Sequence, residues 1–140
     1  MYPATLVAML AVGIAACVYA EALTNRKALA LAGVCLAAIG AGTLIVDYGI
    51  QLTVLQPALL SGETEDLSAW SQYNPHGIFI ALENIGYATM SLALLLLGLT
   101  LWGGTAWTAA RPRPIRAAAW ILTIAGAATL ILMVVLGTVY

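Results

Sequence analysis

An all-α, integral membrane four-helix bundle is the fold this sequence predicts, and three observations predict it. Hydrophobic residues make up 63% of the 140 and charged residues only 8%, with a mean hydropathy of +0.99. A soluble domain is about 25% charged, so this composition cannot furnish a water-facing surface. The apolar residues also gather into four stretches, 2–20, 28–55, 75–102 and 115–140. Each is near or above the roughly 20 residues that span a bilayer, and together they form one transmembrane domain over 1–140. Finally, the basic residues are confined to alternate connections, as a multi-pass protein requires.

The first segment ends in "VYA" before Glu21, which resembles a signal-peptide cleavage site. No positive charge precedes its apolar run, however, so a retained helix is expected. Arg26 and Lys27 occupy the first connection, and Arg111, Arg113 and Arg116 the third or its edge. The second connection has no basic residue and carries Glu63, Glu65 and Asp66. Basic loops stay cytoplasmic, so connections one and three are placed inside and both termini outside, in the inner (cytoplasmic) membrane. The aromatics agree: Tyr19, Trp102, Trp107 and Trp120 fall near the inner interface, Tyr2, Trp70, Tyr73 and Tyr140 near the outer.

The second segment is expected to end before Gln56-Pro57. Its Gly33, Ala37 and Ala41 recur every four residues, with Ala38 and Gly42 beside them, a pattern of close helix packing. In the outer connection Ser61 or Thr64 can cap a short extracytoplasmic helix through "ETEDLSAW". Its Leu67 and Trp70 would rest on the membrane or over a pocket mouth. Asn74-Pro75 is a helix-start signal, a capping side chain followed by a residue with no N–H to lose, so the third helix is expected from Pro75. "LALLLLGLTL", Leu92 to Leu101, reads as a lipid-facing wall, and Cys17 and Cys35 as buried thiols.

The net charge of -1 argues against a nucleic-acid partner. No phosphate loop, zinc-spaced Cys/His set or nucleophile elbow is present, so neither metal nor cofactor is expected.

Polar residues inside the spans carry what functional signal there is. Projected at about 100° per residue, His76, Glu83 and Tyr87 share a stripe of the third helix, flanked by Asn84 and Ser91. Tyr87, one turn below Glu83, is its expected partner. The second helix has Thr43, Asp47 and Gln51 at four-residue spacing. Asp47 precedes Pro57 by ten residues and Glu83 follows Pro75 by eight, so antiparallel helices bring both acids to one level. A charge in hydrocarbon costs about 2.5–3.5 kcal/mol on insertion scales, which directs both acids inward. Close together they repel, and a pair of this kind could exchange protons or bind a cation.

Glu83 and Asp47 are therefore the candidate acid/base pair, and Gln51, His76, Asn84, Tyr87 and Trp70 the candidate ligand contacts. The structural alternative is that long helices project outward and leave both acids among the headgroups, with His76 a helix-end residue. Thr43 and Ser91 are expected to bond backbone carbonyls, and Tyr48 to pack or anchor.

The block "SQYNPHGIFIALENIGY", with "VDYGIQLTVLQPALLSGETE" before it, resembles a stretch of uncharacterised bacterial polytopic membrane proteins over roughly residues 45 to 90. The resemblance implies a multi-pass location and no activity. Three classes follow from the residues. The first is an outer-leaflet-facing pocket that binds or acts on an amphipathic, lipid-like small molecule. The second is an accessory subunit packing on a larger membrane partner. The third is a proton- or cation-coupled carrier working as a homo-oligomer.

Overall fold

The computed structural model describes residues 2–63, 70, 74, 76–102 and 112–137. Four helices long and apolar enough to cross a membrane account for nearly all of them. Helix α1 is Tyr2–Glu21, α2 is Lys27–Ile50, α3 is Ile78–Leu101 and α4 is Arg113–Gly137. A 3-10 turn, Thr24–Arg26, reverses the chain between α1 and α2. Of the short helix expected over 63–70 in the outer connection, residues 64–69 lie outside the described residues.

The second span does not stop at Pro57. Helix α2 passes through a π-helical turn, Gln51–Leu55, into five more α-helical residues, Gln56–Leu60. A proline inside a helix lacks the N–H that would bond the preceding turn, and its ring crowds that turn's carbonyl. The wider π-turn just before Pro57, in which the Gln56 N–H reaches back to the Gln51 carbonyl, supplies the room. What ends the helix is Gly62, at φ 78°. The Glu63 N–H donates to Ala58 at 3.0 Å and the Gly62 N–H to Leu59 at 3.2 Å, the paired bonds of a glycine-terminated helix. The "SG" after "ALL" was the stop signal, and Pro57 was not.

Helix α3 begins at Ile78 rather than at Pro75. The Asn74 side chain accepts the His76 N–H at 3.0 Å, and the Asn74 carbonyl accepts the Gly77 N–H at 2.8 Å. Asn74 thus closes a turn of its own, and extended Gly77 leads into the helix.

Helix α3 is the centre of the bundle, packing on α2 along one side and α4 along the other, while α1 packs on α2. The stretch expected to face lipid is therefore largely interior: Ala93, Leu97, Gly98, Thr100 and Leu101 are buried, and only Leu92 and Leu99 are exposed. A helix apolar on every side gives no sign of which face will be covered.

Glycines let the backbones meet. A Cβ on Gly33 would lie 2.8 Å from the Leu97 side chain, and one on Gly40 3.0 Å from the Gly86 carbonyl. Between α3 and α4, a Cβ on Gly126 would lie 2.6 Å from backbone atoms of Ser91 and Leu95. Such close approach is how helices gain contacts that lipid cannot match. The Gly33, Ala37 and Ala41 face is thus spent inside this chain, while Ala38 and Gly42 are exposed.

The basic end is tied together. The Arg26 guanidinium donates to the Leu99 carbonyl at 2.8 Å, satisfying the C-terminal turn of α3. Lys27 sits 4.9 Å over the Tyr19 ring. Trp102 donates through Nε1 to the Ala119 carbonyl at 3.3 Å and meets Trp120 edge-on. Cys17 and Cys35, expected to be buried, are free and exposed. A thiol is apolar enough to face lipid as readily as protein.

Candidate functional site

The facing pairs of α2 and α3 keep one antiparallel register: Gly33 with Leu97, Gly40 with Met90, Leu44 with Gly86. Three residues on from Leu44 and three back from Gly86, that register sets Asp47 opposite Glu83. At 1.5 Å per residue, Asp47 stands about 30 Å along α2 from Lys27, and Glu83 about 27 Å along α3 from Leu101. For a hydrocarbon core about 30 Å thick, both acids lie toward the margin away from the basic end.

The two acids differ in environment. Asp47 belongs to the buried face of α2, with Leu44, Tyr48, Gln51 and Leu55, and is 0% exposed. Its Oδ1 accepts a hydrogen bond from Gln51 Nε2 at 3.1 Å. Its Oδ2, also buried, has no hydrogen-bond partner among the described residues. Polar groups removed from water are nearly always bonded, so this oxygen is the most unusual feature of the interior. Glu83, by contrast, is half-buried on α3.

Tyr48 and Tyr87 join the helices beside the acids, hydroxyl to hydroxyl at 2.5 Å. Tyr87 does not pair with Glu83 on its own helix as expected, because its long ring reaches across to α2. Tyr48, expected only to pack or anchor, thus holds a polar contact. No single-helix projection could show this, since the partner lies 39 residues away. Tyr48 is buried at 5% exposure while Tyr87 is 41% exposed. The pair predicts an asymmetry. Tyr87→Phe leaves the Tyr48 hydroxyl unpaired in the interior and is expected to cost about 1–3 kcal/mol, whereas Tyr48→Phe leaves the Tyr87 hydroxyl at the surface, where a headgroup, ligand or water can bond it, and costs under about 1. Parallel unfolding titrations in detergent check it, and equal losses would contradict the pairing.

The remaining candidates divide between interior and surface. Gln51 is buried beside Asp47. Asn84 is exposed on α3, next to Glu83. His76 is exposed in the turn before α3. Trp70 lies edge-on to Phe79 near the start of α3, their ring centroids 5.6 Å apart. Thr43 and Ser91 bond the carbonyls of Ile39 and Tyr87, four residues back, as expected. A feature missed in the sequence is the π-turn starting at Gln51, one helical turn beyond Asp47; Pro57 within an apolar run was its signal. Such turns often mark functional positions.

Chemically, the arrangement is a sealed carboxyl behind a half-exposed one, with two hydroxyls and an amide within about one helical turn of them. The outward Glu83, Asn84 and Tyr87 can meet a headgroup or hydroxyl, whereas Asp47 can reach outside only through its neighbours. Comparison with protein-family models, with curated proteins and with solved structures finds no match to this chain.

Proposed function

We propose that this membrane bundle binds an amphipathic, lipid-like small molecule at the ridge formed by Glu83, Asn84 and Tyr87. The basic end is taken as cytoplasmic, by the distribution of Arg and Lys, so that the ridge faces the outer leaflet of the cell membrane. One observation carries the reading: three polar side chains of α3 lie outward or half outward within about one turn of the level of a buried, incompletely bonded Asp47. Polar side chains turned toward hydrocarbon are costly, and a ligand's polar head would offset that cost. Asp47 and Gln51 then act from behind, fixing the field at Glu83. Any acid/base chemistry would pass through Glu83, the only one of the two acids within reach of a ligand.

Glu83→Gln preserves size and removes the charge. Lipids co-purifying with the parent protein, identified by mass spectrometry, are expected to include a species at least about tenfold depleted in the variant, a loss equal to about 1.4 kcal/mol. An unchanged lipid profile would remove the ridge as a binding site.

The unpartnered Asp47 oxygen favours a second reading, proton-coupled transport, because a carboxyl held away from water can take up and release a proton. Proton flux in liposomes that stops in Glu83→Gln would select it. The accessory-subunit reading loses the face first assigned to it, since Gly33, Ala37 and Ala41 pack within the chain.

A further inference from the structure

At the basic end, α1 and the start of α4 flank an open groove of about 580 Å³. Val18 of α1, Leu101 of α3 and Ile115 and Ala118 of α4 belong to one apolar cluster, which sets the last turn of α1 level with the first turns of α4. Beyond that level the α1 wall continues alone, past Cys17 to Gly13.

The charges at this end do not pair within the chain. Glu21 lines the mouth of the groove and is exposed. The basic residues nearest to it in sequence are engaged elsewhere, Arg26 with the Leu99 carbonyl and Lys27 with the Tyr19 ring. At about 100° per residue, Arg116, Trp120 and Ile124 form a ridge on the side of α4 opposite Ile115 and Ala118, and Arg113 joins it. All four are exposed. Arg116 therefore turns away from the Glu21 of its own chain, and no ion pair joins Glu21, Arg113 or Arg116 to another described residue.

The two faces match in size as well as in charge. Glu21, Cys17 and Gly13 recur every four residues along α1, and Arg116, Trp120 and Ile124 do so along α4. Each step is about 6 Å, and the two helices run in opposite directions through the membrane. The α4 of an upright neighbour can thus set Arg116 against Glu21, Trp120 against Cys17 and Ile124 against Gly13. Large side chains then meet small ones. Within its own chain a Cβ on Gly13 would meet nothing within 4 Å, so that hollow is open to a neighbour.

We propose that this groove is the docking site of a second copy of the chain, whose α4 ridge seats on Gly13, Cys17 and Glu21. Rows of side chains four residues apart interlock in this way, and close seating on small residues gains contacts that lipid cannot match. The ion pair at the mouth fixes register and partner more than it adds strength. Because the two faces differ, the contact repeats from copy to copy and builds a ring where its rotation closes.

The test uses the full chain in liposomes. In a Cys35→Ala background, Trp120→Cys would face the native Cys17 of a neighbour, and mild oxidation is expected to give disulfide-linked dimers and longer ladders. Cys35→Ala alone should stay monomeric on oxidation. So should Cys35→Ala with Ile121→Cys, which is also exposed but about 100° round the helix. Gly13→Leu fills the hollow and should reduce the Trp120→Cys dimers at least about tenfold, without disturbing the fold, since its side chain enters open space. Glu21→Lys should reduce them roughly threefold, the scale of an exposed ion pair. Adding Arg116→Glu should restore them, which a merely structural effect of either change would not do. Native mass spectrometry of the unmutated chain, released from the same liposomes, gives an independent reading should the cysteine variants fail to fold, and multimers are expected. Monomers carrying only lipid would overturn the proposal. So would equal cross-linking through Ile121→Cys, dimers undiminished by Gly13→Leu, or a charge exchange that restores nothing. The contact is centred at the opposite end of the bundle from Glu83, so its outcome is separate from the lipid profile of Glu83→Gln.

Discussion

Gly126→Leu is expected to keep α4 from docking on α3 and to lower the yield of folded protein sharply. A Cβ at this position would lie 2.6 Å from both the Ser91 carbonyl oxygen and the Leu95 amide nitrogen, and neither backbone atom can rotate away. The contact is reciprocal: a Cβ on Gly98 would meet the Thr123 backbone nitrogen at 2.6 Å. The two helices touch where each has no side chain, and the surrounding small residues fill the seam. Overpacking a tight contact costs about 1–3 kcal/mol, occasionally more. Gly126→Ala should lie within that range and the leucine variant at or above its top. A bilayer adds no hydrophobic force to push the helices back together. Gly42→Leu is the matched control, since its Cβ would meet nothing within 4 Å; a change within about 0.5 kcal/mol is expected there. Unfolding titrations with denaturing detergent compare the three, and similar losses at Gly126 and Gly42 would refute close packing of α3 on α4.

Asp47→Asn is expected to have the opposite sign, raising stability by about 1 kcal/mol or more while weakening ligand retention. The asparagine keeps an oxygen for Gln51 Nε2 at nearly the same position. It removes the capacity for charge from a site that is 0% exposed and whose second oxygen has no partner among the described residues. The amide leaves Nδ2 as unbonded as Oδ2 was, so the gain comes only from removing an ionisable group, whose charged form is costlier to bury than a neutral one. A substitution that stabilises a fold while harming function marks a residue kept for function. Under the proposed function, the variant no longer shapes the field at Glu83, so the lipid lost in Glu83→Gln should be depleted here too. The same detergent titration and lipid profile measure both halves. A loss of stability would mean that Asp47 is a structural partner, and an unchanged lipid profile would separate it from the ridge.

Much of this protein was legible in its residues. Run length and hydropathy foretold an all-α bundle of four spans. The constant rise of a helix predicted a common level for Asp47 and Glu83, and the α2–α3 register sets them opposite one another. Helix ends were read less well: Gly62 was passed over for Pro57, and Asn74 closes a separate turn instead of capping α3. Both are choices among local hydrogen bonds that one residue type can make in more than one way.

What the tertiary structure decided was which side of each helix is interior. In water an amphipathic pattern would mark the buried face, but in a bilayer lipid and protein are equally apolar, so sequence periodicity carries little of that signal. That is why the supposed lipid-facing wall of α3 proved central, why the cysteines turned outward, and why Tyr87 found Tyr48 rather than Glu83. The sequence by itself determined that the chain spans a membrane four times and carries two acids within those spans. Only the packing of α2 on α3 decided that one acid is sealed inside and the other left half open, because that difference lies in contacts between segments, which the order of residues along one helix does not contain.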